Sequence, residues 1–218
     1  MPQHARVETI IWDFNGTLID DLDLVVHSVN VQLAKRGLPA LDVDEYRDVF
    51  GFPVQNYYRR IGVTFETETM AELSADFFSV YASALKDCPL YDQALETLDD
   101  FRRRGLRQFV LSAMEQSMLR SMIEHLGIAE FFEGVYGLAH QEADSKVSRA
   151  RELQDAFNID SQTALFIGDT THDAEVAAAL GMSIALISRG HQSPNRLEET
   201  GLPVYASYQD LMRALFSD

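Results

Sequence analysis

Four short segments hold the residues able to do chemistry. Asp13-Phe14-Asn15-Gly16-Thr17 and Gly168-Asp169-Thr170-Thr171-His172-Asp173 each follow an apolar run, Ser112-Ala113 follows another, and Lys146 stands alone downstream of a fourth. Three carboxylates, Asp13, Asp169 and Asp173, cannot share a crevice without a cation, because like charges within ~4–6 Å raise one another's pKa. Oxygen-only ligands suit a hard cation, and Mg²⁺ commonly takes one or two carboxylates plus waters and phosphate oxygens. Asp13 and Asp169 are then the direct ligands, with Asp173 one step behind. The amine and the hydroxyl suit a dianionic phosphoryl group: Lys146 neutralises charge, while Ser112 and nearby backbone N–H groups hold the oxygens. Asp13 is the nucleophile in this scheme, and an aspartyl-phosphate divides one hard displacement into two easier ones.

Residues this far apart meet only if parallel strands carry them to one edge, since ligands of open parallel sheets bind beyond the strands' carboxyl ends. Short apolar runs alternating with helical patterns in the second half of the chain predict such an α/β sheet. The expected strands are Thr9–Trp12, Gln108–Leu111, Gly134–Gly137, Ala164–Ile167, Ser183–Ile187 and Val204–Ala206. The expected helices are Gln93–Arg104, Glu115–Leu126, Lys146–Phe157, Ala174–Leu180 and Tyr208–Phe216, with Lys146 in the loop that follows the third strand. Gly105, Gly127 and Gly181 stand just after three of these helices, where a left-handed cap is wanted. Residues 20–88 break the alternation: Val25, Val26, Val29 and Leu33, then Met70, Leu73, Phe77, Val80 and Tyr81, recur at helical spacing with no strand between. They read as a helical insertion.

Composition removes other classes. With 34 Asp plus Glu against 18 Lys plus Arg, the formal charge is −16, which repels phosphate backbones and anionic membranes; no nucleic-acid or membrane partner is expected. Arg102-Arg103-Arg104 before Gly105 reads as cations at a helix C-terminus. The longest nearly apolar stretch, Val176 to Ile187, is too short to span a bilayer. A chain of 218 residues buries enough surface to need no staple, and its single cysteine, Cys88, cannot form an internal disulfide. With no apolar leader before Asp13, a cytoplasmic location is expected.

The four segments, in this order and at this spacing, resemble the four motifs of the haloacid dehalogenase-like hydrolase superfamily over essentially the whole chain. The region after Cys88 is most similar to its phosphoglycolate-phosphatase-like branch. The resemblance implies a Rossmann-like parallel sheet flanked by helices, formed by residues 1–19 and 89–218, with an all-helical cap of residues 20–88 that closes over the substrate and selects it. It also implies Mg²⁺ held by Asp13, the backbone carbonyl of Asn15 and Asp169, with Asp173 behind them. The phosphate would be bound by Asn15, Gly16, Thr17, Ser112, Ala113 and Lys146. Catalysis would rest on Asp13, Ser112 and Lys146, and the substrate would be a small phosphorylated metabolite.

Asn15 departs from the motif, which has a second Asp there to protonate the leaving alkoxide and then take a proton from water. An amide cannot transfer that proton, and general acid–base catalysis is typically worth ~10²–10⁴ in rate. A good leaving group, a substitute among His172, His27, Asp20 and Asp21, or a phospho-ligand sensor with weak or no turnover would each account for it. Phosphonate cleavage through Lys35 or Lys86 is a lesser alternative. Taken singly, each motif also has a plain reading: turn chemistry for Asp13–Thr17 and for Gly168-Asp169-Thr170, a solvated Lys146, and Ser112 as a helix cap completed by Glu115. His191 reads better as a surface histidine than as a substrate contact. In the helical segment, Phe52 to Arg60 is the stretch to watch for substrate selection, with Arg59 and Arg60 either reaching an anion or lying solvated. Monomer and homodimer are both open.

Overall fold

The computed structural model describes residues 7–138 and 145–216. The first six residues, part of the stretch in which no leader was found, lie outside them. Six strands, β1 (Thr9–Trp12), β2 (Arg107–Glu115), β3 (Gly134–Leu138), β4 (Ala164–Gly168), β5 (Ser183–Ile187) and β6 (Val204–Tyr205), form one sheet in the order β3-β2-β1-β4-β5-β6. Every neighbouring pair is parallel. The order reverses at β1, which makes the gap between the carboxyl ends of β1 and β4 the place where a ligand crevice opens. Trp12 pairs with Ile167 and with Val110, so Asp13, Asp169 and Ser112 stand at nearly one level across the sheet.

Helices cover both faces, which is why the strands are apolar on both sides rather than alternating. α5 (Ala94–Arg103), α6 (Gln116–His125) and α10 (Tyr208–Phe216) bury one face with Ile10, Trp12, Val110 and Ile167, while α7 (Lys146–Phe157) and α8 (Thr171–Leu180) bury the other with Ile11, Phe109, Leu111 and Phe166. Trp12 is the centre of the first face. Its ring meets Phe101 at 5.6 Å and the edge of Tyr208 at 5.8 Å, and its Nε1–H donates to Gln108 Oε1 at 3.0 Å. Gln108 Nε2 in turn donates to the Leu98 carbonyl at 2.9 Å, tying β1 and β2 to α5.

Between β1 and α5 the chain forms four α-helices and no strand of the sheet: α1 (Leu22–Lys35), α2 (Val43–Val49), α3 (Val54–Arg60) and α4 (Met70–Ala84). α1 buries Leu22, Val25, Val26, Val29 and Leu33 on one stripe, against α4. Gln32 joins three of the helices, accepting from Tyr58 Oη at 2.7 Å and donating to the Leu73 carbonyl at 2.5 Å.

The element bounds differ from the expected ones at three informative places. β2 runs on to Glu115, which pairs with Leu138 after a register shift, so Ser112 lies inside a strand. Its hydroxyl accepts from the Met114 N–H two residues on, and Glu115 is itself the cap of α6; the capping box from Ser112 to Glu115 does not form. α8 begins at Thr171, three residues before the expected start, because Asp173 turns back to Thr170. A short α9 (Pro194–Glu198) was not expected; five residues carry too little periodicity. The expected αL caps at Gly105, Gly127 and Gly181 all have positive φ. Arg102 and Arg103 end α5 in ion pairs with Asp99, Asp100 and Glu130, as cations at a helix C-terminus should. No helix among the described residues is long and apolar enough to cross a membrane.

Gln108→Leu keeps the volume but strands the Trp12 N–H, at ~1–3 kcal/mol, and removes the tie to the Leu98 carbonyl. Urea unfolding is expected to show a lower midpoint with an unchanged slope.

Candidate functional site

Each chemical residue owes its position to the end of an element. Asp13 is the first residue past β1, and its backbone N–H donates to the Ile167 carbonyl of β4 at 2.8 Å. Asp169 follows β4, and Asp173 lies in the first turn of α8. Lys146 is not in a loop: it is the first residue of α7, placed by the capping box of Ser145 and Ser148. Its ammonium reaches across to both Asp13 and Asp173, the latter at 2.6 Å. Lys146 is 5% exposed, Asp173 1% and Asp169 0%, so this is a buried ionic cluster rather than a surface one.

The electrostatics of the cluster are one-sided. One atom from each of Asp13, Asp169 and Asp173 lies within 4.8 Å of the others, and a single ammonium answers three carboxylates. Burial, aided by Asp173 and Asp169 and opposed by Lys146, holds the Asp13 carboxyl well above the usual carboxylate range. Burial also lifts Asp169 to about 6. On Asp173 burial is outweighed by Lys146 and Thr170, and its carboxyl stays below the ordinary value. Burial works to lower Lys146, but Asp13 and Asp173 prevail and raise it. Such a set fits a hard divalent cation: the donors are all oxygen, preformed and short of positive charge. Thr17 Oγ1 donates to Asp169 Oδ1 at 3.0 Å and the His191 N–H donates to Asp169 Oδ2 at 2.6 Å, which fixes that carboxylate.

Two glycines permit the close approach. At Gly16, whose φ is +70°, a Cβ would collide with the Asp169 carboxylate and the His191 ring; at Gly190 one would collide with Asp169 and the Gly16 carbonyl. Gly16 and Thr17 therefore support the cluster from behind and do not line the cavity, whereas Asp13, Asn15, Ser112, Ala113 and Lys146 do. The Gly16 N–H is committed to Asp21 Oδ1 at 2.9 Å.

Beside the cluster lies a second network. Asn15 Nδ2 donates to Asp21 Oδ2 and to Tyr81 Oη, both at 2.8 Å, and Asn15 Oδ1 accepts from Ser112 Oγ at 3.3 Å. Tyr81 Oη donates to the same Asp21 oxygen at 2.7 Å. An ionised carboxylate only accepts, so Asp21 dictates which way the Asn15 amide faces. His191 sits between Asp21 Oδ1 and Tyr46 Oη, each at 3.2 Å. Burial would lower His191, but Asp21 outweighs it and raises its pKa to about 9; the ion pair and the donors on Asp21 likewise keep that carboxyl below its ordinary value.

His191 is thus buried, 6% exposed, where a surface histidine was expected. The signal available was its place just after β5. Tyr81 and Tyr46 gave none, because a tyrosine at helical spacing reads as core; Asp21 was expected only as a proton source. Of the proposed proton sources, Asp21 and His172 line the cavity; Asp20 and His27 are exposed and do not. Arg59 and Arg60 are exposed and lie outside the cavity lining. The cavity itself, about 440 Å³, extends from the cluster to α1, α3 and α4.

Comparisons agree with this geometry. A family model described as haloacid dehalogenase-like hydrolase matches residues 10–187. A phosphoglycolate phosphatase of Rhodospirillum rubrum is 27% identical, the alignment covering 94% of this chain and 89% of that one. A tyrosine-protein kinase PtkA of Mycobacterium tuberculosis is 24% identical over 95% of this chain and 72% of its own length. A haloacid dehalogenase-like hydrolase from Streptococcus pneumoniae has the same fold, with a TM-score of 0.83 at 20% identity over 96% of this chain and 99% of that one.

Because the His191 pKa is raised from 6.5 to about 9, its pairing with Asp21 contributes fully below pH 6.5 and is lost as pH rises through 9. The thermal midpoint of chelator-treated protein is expected to fall across that window, and to fall less in His191→Gln. Equal slopes in the two proteins would show that the pair does not titrate.

Proposed function

As the chain belongs to the haloacid dehalogenase-like hydrolase family, we propose that it is a Mg²⁺-dependent phosphatase of small phosphorylated metabolites, working through an aspartyl-phosphate on Asp13. The observation that carries this reading is the buried cluster of Asp13, Lys146, Asp169 and Asp173 at the floor of the cavity. A carboxylate, an ammonium and a cation site together suit an incoming phosphoryl group and little else. The names of the phosphatase relatives point the same way.

Asp13 contributes one carboxylate oxygen as nucleophile to the phosphorus atom. Lys146 offsets charge on the phosphoryl oxygens and on Asp13, and Asp173 holds Lys146 in place. The Ser112 hydroxyl, which donates to Asn15 Oδ1, and the Ala113 N–H line the same cavity and would donate to these oxygens. Asp13, the Asn15 carbonyl and Asp169 would hold Mg²⁺, with Asp173 behind them. The cation supplies charge neutralisation on the transferring group. Water then attacks the aspartyl-phosphate, freeing phosphate and restoring Asp13. Residues 20–88 act as the cap that excludes bulk water and selects the organic part of the substrate.

A second reading, a phospho-ligand sensor with little or no turnover, is favoured by Asn15 alone, since its amide cannot act as a general acid or base.

Phosphate release from a panel of phosphate esters decides between them. Turnover with Mg²⁺ that stops with EDTA, falls to background in Asp13→Asn and drops ~10²–10³-fold in Lys146→Ala is expected for the phosphatase. Saturable binding of esters without release of phosphate from any of them is the sensor's signature and would sink the first reading.

A further inference from the structure

The part of the cavity facing away from the charged floor is mostly apolar, with the Tyr57 hydroxyl buried in it without a partner among the described residues. Tyr46, Phe50, Phe52, Tyr57, Phe77 and Phe78 give it an aromatic wall, completed by aliphatic side chains of α1 and by Met70. Phe52 stacks on His172 at 4.5 Å, and Tyr46 stacks on Phe50 at 5.1 Å, so the wall is packed rather than loose. Among the described residues lining the cavity, Lys146 is the one lysine or arginine, and Asp13 and Asp173 already hold it. His191 is matched by Asp21.

A second anionic group next to the phosphate would therefore enter a mostly apolar space with no free lysine or arginine among its described lining residues and with the Asp21 carboxylate close by. Burying an unpaired charge in that way is strongly unfavourable. An aromatic group meets the opposite case: it buries its faces and edges against rings of matching geometry. The size of the cavity agrees, falling within the ~300–1,000 Å³ of sites for larger organic ligands.

Position 15 supplies an independent observation. Its side chain is an amide whose hydrogens go to Asp21 and Tyr81, and the Tyr81 hydrogen also goes to Asp21. No carboxyl group stands there to protonate a departing oxygen. An alkoxide, whose parent alcohol ionises near water's ~15.7, leaves poorly without that proton. A phenolate, with a parent pKa of ~10, leaves well without it.

We propose that the substrate is the phosphate monoester of a phenolic alcohol, its ring held by the aromatic wall of the helical segment and its oxygen departing unprotonated. This rests on the phosphatase reading above. An Asp13 oxygen bonds to phosphorus as the bond from phosphorus to the phenolic oxygen breaks, and the phenolate keeps the electron pair. Water then bonds to the same phosphorus, the bond to Asp13 breaks, and both water protons remain on the released dihydrogen phosphate. The phenolate takes up its proton in bulk solvent.

The test compares 2-naphthyl phosphate, 2-naphthylmethyl phosphate and 2-phosphoglycolate, with Mg²⁺, on the wild-type protein and on Asn15→Asp. The two naphthalene esters share their apolar surface and differ in leaving group. In the wild type the aryl ester is expected to turn over ~10²-fold or more faster than the naphthylmethyl ester, and to exceed 2-phosphoglycolate at least tenfold in kcat/KM. Asn15→Asp should raise the naphthylmethyl rate by at least tenfold more than it changes the aryl rate, because only the first ester needs a proton on its leaving oxygen. The wild-type comparison stands if that variant fails to fold. Equal wild-type rates for the two naphthalene esters, or a preference for 2-phosphoglycolate, overturn the substrate class while leaving the phosphatase reading intact. Absence of phosphate release from all three esters and from the wider panel removes both.

Discussion

Everything at the ligand end of the sheet depends on one ammonium reaching two carboxylates. Lys146 lies on α7, Asp13 on the end of β1 and Asp173 on α8, and their meeting is buried. Removing one partner from such a cluster typically costs about 3–5 kcal/mol, because the other is left as an uncompensated charge in a poor solvent. The elements that carry them are held accordingly. Gly168 is a glycine because a Cβ there would run into the Asp173 side chain as it bends back toward the end of β4. The cluster is nonetheless short of positive charge, and the deficit is what makes it a receptor for a cation and, with that cation, for a phosphoryl anion.

The same economy explains the neighbourhood of Asn15. A second carboxylate at position 15 would face Asp21 at hydrogen-bond distance, and two such groups would share a proton rather than both ionise. With an amide there, Asp21 is free to stay ionised, to accept from Asn15, Tyr81 and Gly16, and to pair with His191. The substitution that removes a proton donor from the motif thus comes with a network that couples β1, the loop after β5, α2 and α4. The helical segment is fastened to the sheet at the catalytic end by polar contacts. Further contacts lie nearby: Gln192 receives the Thr171 N–H at 2.8 Å and donates to the Phe50 carbonyl at 3.1 Å.

The sheet was legible because strands buried on both faces must be apolar, and the helices between them must be amphipathic; all six strands were found with starts within one residue. What misled was local chemistry that two structures can share. Ser112 three residues before Glu115 fits a capping box, but the hydrogen-bonding demand of β3 carried β2 past Ser112 and left Glu115 to cap α6 alone. His191 looked like a surface histidine because nothing near it in sequence is apolar; its environment comes from Asp21 and Tyr46, which are 170 and 145 residues away.

By itself the sequence determined the alternation of strands and helices, the helical interruption, and the identity of the residues at the strand ends, all of which follow from periodicity and residue type within a few positions. Tertiary structure alone decided which way the Asn15 amide faces, that Asp21 pairs with a buried His191, that Arg59 and Arg60 lie outside the cavity lining, and that the cavity above the charged floor is largely aromatic. Those are properties of side chains brought together from separate elements, and their energetics depend on burial and on partners that no local pattern encodes.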